Sequence, residues 1–224
     1  MNLGGWIKNS FVDYPRKIAT VIFTCGCNFK CGYCHNNKLI DGKETKQIET
    51  EIFNFLEKRV GLIDGVVISG GEPTIQPDLP EFVQKICNLG YYVKLDTNGS
   101  NPQMLQQLIN NNLLDYVAMD VKTSFQNYSK IAMCDVDIQK LKQSIQILES
   151  SRVNYEFRTT FASDVSLQDI ENIAKFLPSS SNYFIQKFNP QTDQQKQNEH
   201  RLHEYAEALL IAKKYITNAK LRSL

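Results

Sequence analysis

The chain has 224 residues and carries 25 basic and 24 acidic side chains, which leaves a net charge of +1 at pH 7. This balance argues against a nucleic-acid binder and against a membrane-surface protein. No apolar run approaches the ~20 residues that span a bilayer, and the first residues lack the pattern of a secretory signal. We therefore expect one cytoplasmic domain over residues 1–224, in which the six cysteines stay reduced.

Apolar, β-branched runs alternate with amphipathic runs along the chain. The predicted strands are 18–24, 66–71, 91–99, 114–122, 153–161 and 182–190. The predicted helices are 48–60, 79–90, 101–112, 137–150, 166–177 and 196–217. Pro102 and Ser166 mark two helix starts, and Gly90 marks a helix end. This alternation is typical of a parallel sheet with helices outside it, either curled into a barrel or wound on both sides.

The unusual residues follow the predicted strands. CGCNFKCGYCHN (25–36) follows the first strand, SGGEPT (69–74) the second and DTNGS (96–100) the third. MDVK (119–122) closes the fourth strand, and Arg158 lies late in the fifth. The carboxyl ends of parallel barrel strands share one face, where active sites are built. The spacing therefore predicts that these residues converge on one site.

Three cysteines have the spacing C-x3-C-x2-C, namely Cys27, Cys31 and Cys34. Soft thiolate ligands favour an iron–sulfur cluster, zinc or Cu(I). A structural zinc site needs a fourth ligand, for which Cys25 and His35 are the nearby candidates. Three thiolates on a four-iron cluster would instead leave one iron open to a small molecule. We favour the cluster, and the zinc site stays open as the alternative.

The order of YPRKIATVIFTCGCNFKCGYCHN, GGEP, DTNG and DVK resembles the radical S-adenosylmethionine superfamily, and within it the glycyl-radical-enzyme activases. The resemblance implies a partial, splayed (β/α)6 barrel. It also implies a [4Fe–4S] cluster held by Cys27, Cys31 and Cys34, with S-adenosylmethionine on the open iron. Reductive cleavage of that cofactor would give a 5′-deoxyadenosyl radical, which takes a hydrogen from a glycine of a partner enzyme.

The partner is implied by finer features of the resemblance. The ending YCHN is similar to activases, and residues 35–47 contain no cysteine-bearing ferredoxin-like insert. This minimal form is most similar to activating proteins of anaerobic ribonucleoside-triphosphate reductase. The family also implies a low-potential electron donor such as flavodoxin or ferredoxin.

The resemblance assigns further residues to cofactor binding. Tyr33 precedes the last cysteine, and the carbonyls of Gly70 and Gly71 would approach the cofactor's ammonium group. Glu72 would fix that turn or add charge. Asp96 and Asn98 would meet the ribose hydroxyls or a cation.

A second group would meet the cofactor's carboxylate. Asp120 and Lys122 alternate with Val121, so both point to one face of their strand. The resemblance implies that Lys122 neutralises the methionyl carboxylate and that Arg158 can do so with two parallel bonds.

Each motif also has a structural interpretation. A glycine pair after a strand is often a tight turn, DTNG is typical of a surface turn, and charges at a strand end can face solvent. Cys25, Cys87 and Cys134 are interpreted as small core residues.

Two alternatives for the whole chain stay open. One is a radical enzyme acting on a small molecule, such as 7-carboxy-7-deazaguanine synthase, whose cysteine motif usually ends in WCDT. The other is a non-catalytic zinc-binding module. One difference from the activases of pyruvate formate-lyase bears on the identity of the partner enzyme. Those activases carry a histidine on strand six. This chain has Gln186 and Lys187 there, so the residue that contacts the adenosine from this strand is left open.

Overall fold

The computed structural model describes residues 1–40, 46–188 and 202–222. Its described strands form one sheet in chain order. The strands are β1 (Leu3–Ser10), β2 (Ala19–Thr24), β3 (Gly65–Gly70), β4 (Tyr92–Thr97), β5 (Tyr116–Asp120), β6 (Asn154–Phe161), β7 (Asn182–Lys187) and β8 (Asn218–Arg222). β1 pairs antiparallel with β2, and every later neighbouring pair is parallel.

The described helices are α1 (Asn37–Ile40), α2 (Lys46–Glu57), α3 (Leu79–Asn88), α4 (Pro102–Asn110), α5 (Tyr128–Ala132), α6 (Ile138–Ser150), α7 (Leu167–Phe176) and α8 (Leu202–Lys213). In α3, Leu79, Phe82, Val83 and Ile86 are buried, which is the spacing of one helix face against a sheet. Within the described ranges, none of the helices has the length and apolar character that a membrane crossing needs.

The sheet is an open, partial barrel. β1 and β8 are its edges, and no pairing joins them among the described residues, which confirms the predicted splayed form. The six predicted strands correspond to β2–β7, but the described sheet has eight strands. The sequence pattern did not predict β1, which contains a glycine pair, or β8, of which only Ala219 is buried.

Some predicted boundaries were wrong and others cannot be compared. The predicted helix 196–217 ends early, since α8 stops at Lys213 and the chain then enters β8. Residues 189–190 of the predicted sixth strand and residues 196–201 of that helix lie outside the described residues. Pro102 begins α4, and Ser166 caps α7 as expected.

The barrel interior is filled at its amino end. Tyr14, Ala19, Val21 and Val67 form a small buried cluster apart from the main core, with Phe23 and Tyr116 half-buried against it. Val67 points to the same side of β3 as Ser69, which lies two residues further along and lines the site cavity described below. The free space inside the barrel therefore lies at the carboxyl ends of the strands.

Candidate active site

A cavity of about 220 Å³ lies at the carboxyl ends of the strands. Its walls include every site residue that the sequence singled out: Cys27, Cys31, Tyr33, Cys34, Gly70, Gly71, Glu72, Asp96, Asn98, Asp120, Lys122 and Arg158. The predicted convergence is therefore present, while the individual roles of these residues stay predictions.

The cysteine loop is anchored on α5. Phe29 is 4% exposed and its ring meets that of Tyr128 edge-on, with centroids 6.2 Å apart. The backbone N–H of Lys30 donates to the carbonyl of Ala132 at 2.8 Å. Thus α5 holds the loop whose three candidate ligand residues line the cavity.

The two alternative fourth ligands occupy different places. Cys25 is 2% exposed and does not line the cavity; a Cβ added to Gly4 on β1 would lie 2.7 Å from its Sγ. His35 lines the cavity and stacks on Phe188 with ring centroids 5.7 Å apart. In the part of the chain that the structure describes, no group of three or more His, Cys, Asp or Glu side chains is placed to hold a single metal ion.

Burial keeps two of the candidate thiols protonated in the absence of a cation. It raises the pKa of Cys27 to about 11 and also raises the pKa of Cys31. Only a thiolate is a good metal ligand, so binding a cluster would release protons from these groups.

The glycine pair after β3 allows two loops to touch through their backbones. The N–H of Gly71 donates to Thr24 at 2.9 Å, and that of Glu72 donates to Gly26 at 2.8 Å. Gly70 has φ of +117°, which L side chains rarely adopt, and a Cβ on Gly71 would collide with the carbonyl oxygen of Gly26. The pair therefore places the GGEP loop directly on the start of the cysteine loop.

Glu72 fixes this turn. It is 1% exposed; its Oε1 accepts from Thr74 N at 3.1 Å and Thr97 Oγ1 at 2.7 Å, and its Oε2 accepts from Asn98 N at 2.6 Å. Burial raises the pKa of Glu72, although these hydrogen bonds act in the opposite direction. Of the two roles expected for Glu72, the contacts support fixing the turn.

Asn98 connects the DTNG loop to the cysteine loop. Its Oδ1 accepts from Ser100 N at 2.9 Å, and its Nδ2 donates to Asn28 Oδ1 at 2.9 Å. Asn28 in turn donates to Ser100 Oγ at 2.8 Å. Three loops that follow different strands are thus joined by hydrogen bonds around one cavity.

A network of charged side chains forms the floor of the cavity. Asp96 accepts from Lys94 Nζ at 2.5 Å and lies 3.3 Å from Nη1 of Arg158. Asp120 accepts from Arg158 Nε at 2.7 Å and from Lys122 Nζ at 2.9 Å. Three cations face two carboxylates, so the network has an excess of one positive charge, which favours one bound anionic group.

The network keeps Asp120 and Lys122 charged at neutral pH. Burial alone would raise the pKa of Asp120, but the charges of Arg158 and Lys122 outweigh it and hold the pKa well below its usual range. Burial likewise opposes the charged form of Lys122, but Asp120 raises its pKa well above the usual value. The ammonium of Lys122 is already paired with Asp120. Any bound carboxylate would therefore share this ammonium with Asp120.

Two features of the site were not foreseen. Lys94 is 2% exposed and belongs to the network; its position two residues before Asp96 puts both on one face of β4, which was the available signal. The hydroxyl of Tyr33 is buried and has no hydrogen-bond partner among the described residues. Three soft thiols, an excess positive charge and an unsatisfied hydroxyl on one cavity fit a cluster with a polar cofactor beside it that carries a carboxylate.

An open, mostly parallel barrel with three cysteines beside a cationic pocket on its carboxyl face fits an iron–sulfur enzyme that binds a charged small cofactor. The profile of the Radical SAM superfamily matches residues 21–177. The chain belongs to this superfamily, whose members use a [4Fe–4S] cluster and S-adenosylmethionine.

Two relatives from Methanocaldococcus jannaschii are both provisionally named glycyl-radical enzyme activating enzymes. One, MJ1227, is 39% identical over 99% of this chain and 96% of its own length. The other, MJ1632, is 30% identical over 93% of this chain and 82% of its own length. Among solved structures, Streptococcus suis SuiB bound to precursor peptide SuiA matches with a TM-score of 0.64 and 16% identity, over 90% of this chain and 48% of that chain. That likeness shows the fold.

Proposed function

We propose that this chain is an activase that creates a glycyl radical on a partner enzyme, namely anaerobic ribonucleoside-triphosphate reductase. The observation that carries the activase assignment is the match over nearly the whole length of both chains to a relative provisionally named a glycyl-radical enzyme activating enzyme. The choice of reductase rests on the YCHN ending and on the absence of a cysteine-bearing insert between 35 and 47.

When bound, the cluster and S-adenosylmethionine supply a 5′-deoxyadenosyl radical and methionine at the cost of one electron from a low-potential donor such as flavodoxin or ferredoxin. Transfer of a hydrogen atom from the glycine Cα to that radical would then leave 5′-deoxyadenosine and a glycyl radical. Glycine suits this transfer because it has no side chain to block the approach.

In this proposal, the residues of the chain bind the cluster and bind and orient S-adenosylmethionine. Cys27, Cys31 and Cys34 hold the cluster, and their loop is kept in place by α5. Lys122 and Arg158 attract the cofactor's carboxylate through the excess positive charge of the network. Asp96 and Asn98 face the cofactor from the end of β4.

A protein substrate fits the open form of the barrel. The two edge strands are not joined among the described residues, so a loop of a partner can approach from the side and exclude water once it is bound. SuiB, which shares the fold, is described with a peptide bound. The proposed setting is the cytoplasm, where thiols stay reduced.

The test uses the anaerobically reconstituted and reduced protein, S-adenosylmethionine and the anaerobic ribonucleotide reductase of the same organism. We expect an oxygen-sensitive doublet in the electron paramagnetic resonance spectrum, and none when the radical glycine of the reductase is replaced by alanine. Cys31→Ala protein serves as the control without an intact cluster. Conversion of a carboxylated pterin to a deazaguanine, with the reductase left free of radical, would overturn the proposal in favour of a small-molecule enzyme.

A further inference from the structure

Lys94 is the cation of the charged network that does not line the cavity. Its side chain is 2% exposed, and its Nζ donates to Oδ1 of Asp96 at 2.5 Å. Lys94 lies two residues before Asp96 on β4, so both side chains face the barrel interior and the ammonium approaches Asp96 from the amino end of the strand. An effect of Lys94 on a ligand in the cavity must therefore pass through Asp96.

The two carboxylate oxygens of Asp96 have different partners. Oδ1 accepts from Lys94, whereas Oδ2 accepts from Ser69 Oγ at 3.2 Å and from Arg158 Nη1 at 3.3 Å. The contact with Arg158 is the longest of the four ion pairs in the network. Burial opposes ionisation of Asp96, but the charges of Arg158 and Lys94 outweigh it and lower its pKa. Asp96 is thus charged, with its short ion pair directed away from the cavity.

Arg158 keeps donors for a ligand in this arrangement. A guanidinium has five N–H groups, and the contacts with Asp120 and Asp96 use two of them. The side chain of Arg158 lines the cavity and is 12% exposed. Because a guanidinium matches the two oxygens of a carboxylate, Arg158 can bind one in the cavity without leaving Asp120.

The excess positive charge of the network depends on Lys94. With Lys94, three cations face two carboxylates. Without it, two cations would face the same two carboxylates, and the pair with Arg158 would be the ion pair left to Asp96 within the network. Asp96 would then compete with a bound carboxylate for the same guanidinium, because charges attract strongly in a buried site.

We propose that Lys94 is a positioning residue for cofactor binding, which neutralises Asp96 and so leaves the guanidinium of Arg158 available to the carboxylate of S-adenosylmethionine. The inference rests on the part of the proposed function that assigns Arg158 to this carboxylate. It does not depend on which partner enzyme receives the radical. Since Lys94 acts only through the carboxylate site, it should matter only for a ligand that carries the carboxylate.

The experiment compares two ligands, S-adenosylmethionine and decarboxylated S-adenosylmethionine, which lacks only the carboxylate. Equilibrium dialysis with the anaerobically reconstituted protein gives both dissociation constants, and their ratio measures the preference for the carboxylate. The variants are Lys94→Met and the double variant Lys94→Met with Asp96→Asn. The double variant leaves no buried carboxylate short of a cation, and its network again has one positive charge in excess. Lys140→Met, at an exposed position on α6, is the matched control.

In Lys94→Met the preference should fall at least roughly 10-fold, the size expected for the loss of one charge-assisted hydrogen bond. Binding of the decarboxylated ligand should stay within about twofold of wild type. In the double variant the preference should return to within about threefold of wild type, because Asp96 no longer competes for Arg158. Loss of a contact between Asp96 and the ribose would weaken both ligands alike and cancels in the ratio.

Measuring Arg158→Met as well separates two failures. In that variant Asp96 keeps Lys94 and Asp120 keeps Lys122. If Arg158→Met lowers the preference and Lys94→Met does not, the inference is wrong and the proposed role of Arg158 stands. If Arg158→Met keeps the preference, that role fails and the inference fails with it.

The double variant distinguishes positioning from a merely structural role. Equal weakening of both ligands in Lys94→Met that persists in the double variant would mean that Lys94 only supports the fold. A double variant that binds with the low preference of Lys94→Met would also overturn the inference, because the charge count is restored in it.

Discussion

Arg158 is shared by carboxylates from two different strands, since its Nε lies 2.7 Å from Asp120 and its Nη1 lies 3.3 Å from Asp96. Burying one such charge alone would be costly, and the network makes burial possible because every member has an oppositely charged neighbour. The arrangement also determines where an anion can bind. The three cations of the network face only two carboxylates, so one positive charge of the network is not neutralised.

Substituting the cysteines one by one tests the ligand set. Cys27→Ala, Cys31→Ala and Cys34→Ala should each lose the intact four-iron cluster, because each thiol lies at the cavity wall. Cys25→Ala should keep it, since that thiol packs beside β1 instead. Iron and sulfide content and the visible absorbance after anaerobic reconstitution measure the result. A cluster that survives in Cys27→Ala but is lost in Cys25→Ala would show that the wrong cysteines were chosen.

Removing the ammonium of Lys122 tests its part in cofactor binding. Lys122→Met should weaken binding of S-adenosylmethionine roughly 10- to 150-fold with the cluster still present, as expected for the loss of a charged hydrogen bond of ~1.5–3 kcal/mol. Asp120 keeps Arg158 as its partner in this variant. Equilibrium dialysis measures the affinity, and the exposed Lys140→Met is the control. An affinity within about twofold of wild type would make Lys122 only a structural partner of Asp120.

Individual site residues could be predicted from the sequence when they belonged to a motif. Each residue assigned from the cysteine, GGEP, DTNG and DVK motifs lines the cavity. Lys94 was missed because a charged residue inside a strand is interpreted as solvent-facing, although Asp96, two residues later on the same strand, was the available signal. Glu156 was missed because its partner, Arg222, becomes apparent only when the register between strands is known.

At the scale of elements, the contact between the GGEP loop and the cysteine loop leaves no room for a side chain. Gly71→Ala should lower the free energy of unfolding by roughly 1–3 kcal/mol, because the added methyl meets the rigid backbone at Gly26. Gly5→Ala on β1 is the matched control, since a methyl added there would have nothing within 4 Å. Urea unfolding of both cluster-free variants measures the difference, and equal stabilities would contradict this close contact.

The start of α7 should give a pH-dependent contribution to stability. Burial opposes ionisation of Asp169, but hydrogen bonds from Ser124, Ser166 and Asn127 outweigh it and lower its pKa from 3.8 to about 2. A carboxyl whose pKa falls on folding stabilises the fold above its unfolded pKa, and this contribution is lost as the pH falls through the folded value. The stabilisation should therefore be complete above about pH 4 and disappear towards pH 2.

The measurement compares urea midpoints of wild type and Asp169→Asn. The variant should be less stable at pH 7 by about 1 kcal/mol, the usual size for a helix cap, and the gap should narrow between pH 4 and pH 2. Asp164→Asn, at an exposed position near the helix start, is the control. A gap that does not change with pH would mean that the carboxylate charge of Asp169 is not what stabilises the cap.

Strands were predictable where both faces are buried and unpredictable at the edges. β3 reads GVVISG and is buried along most of its length, so its apolar run alone marks it as a central strand. β8 reads NAKLR, and only Ala219 is buried. An edge strand with so little burial carries almost no hydrophobic pattern, and its position depends on pairing with β7. The same reason explains why α8 was predicted to extend beyond Lys213.

At the scale of the whole molecule, packed residues that stabilise the barrel and residues of the candidate site lie at opposite ends of the strands. The amino ends surround the small cluster around Tyr14, and the carboxyl ends surround the cavity. A ligand in that cavity contacts loops that are far apart in sequence but connected by hydrogen bonds, such as those from Glu72 to Asn98 and from Asn98 to Asn28. Binding should therefore stabilise several loops at once.

Hydrogen–deuterium exchange of the reconstituted protein, with and without S-adenosylmethionine, tests this division. Exchange should slow in 25–36, 69–74 and 96–100, because these loops border the cavity and open locally when it is empty. It should stay unchanged in 11–18 and 60–64, which precede strands at the opposite end of the barrel. Slowing confined to 25–36 would mean that the cofactor binds the cluster without entering the cavity. Equal slowing everywhere would mean that binding stabilises the fold as a whole and that the three loops do not form a separate unit.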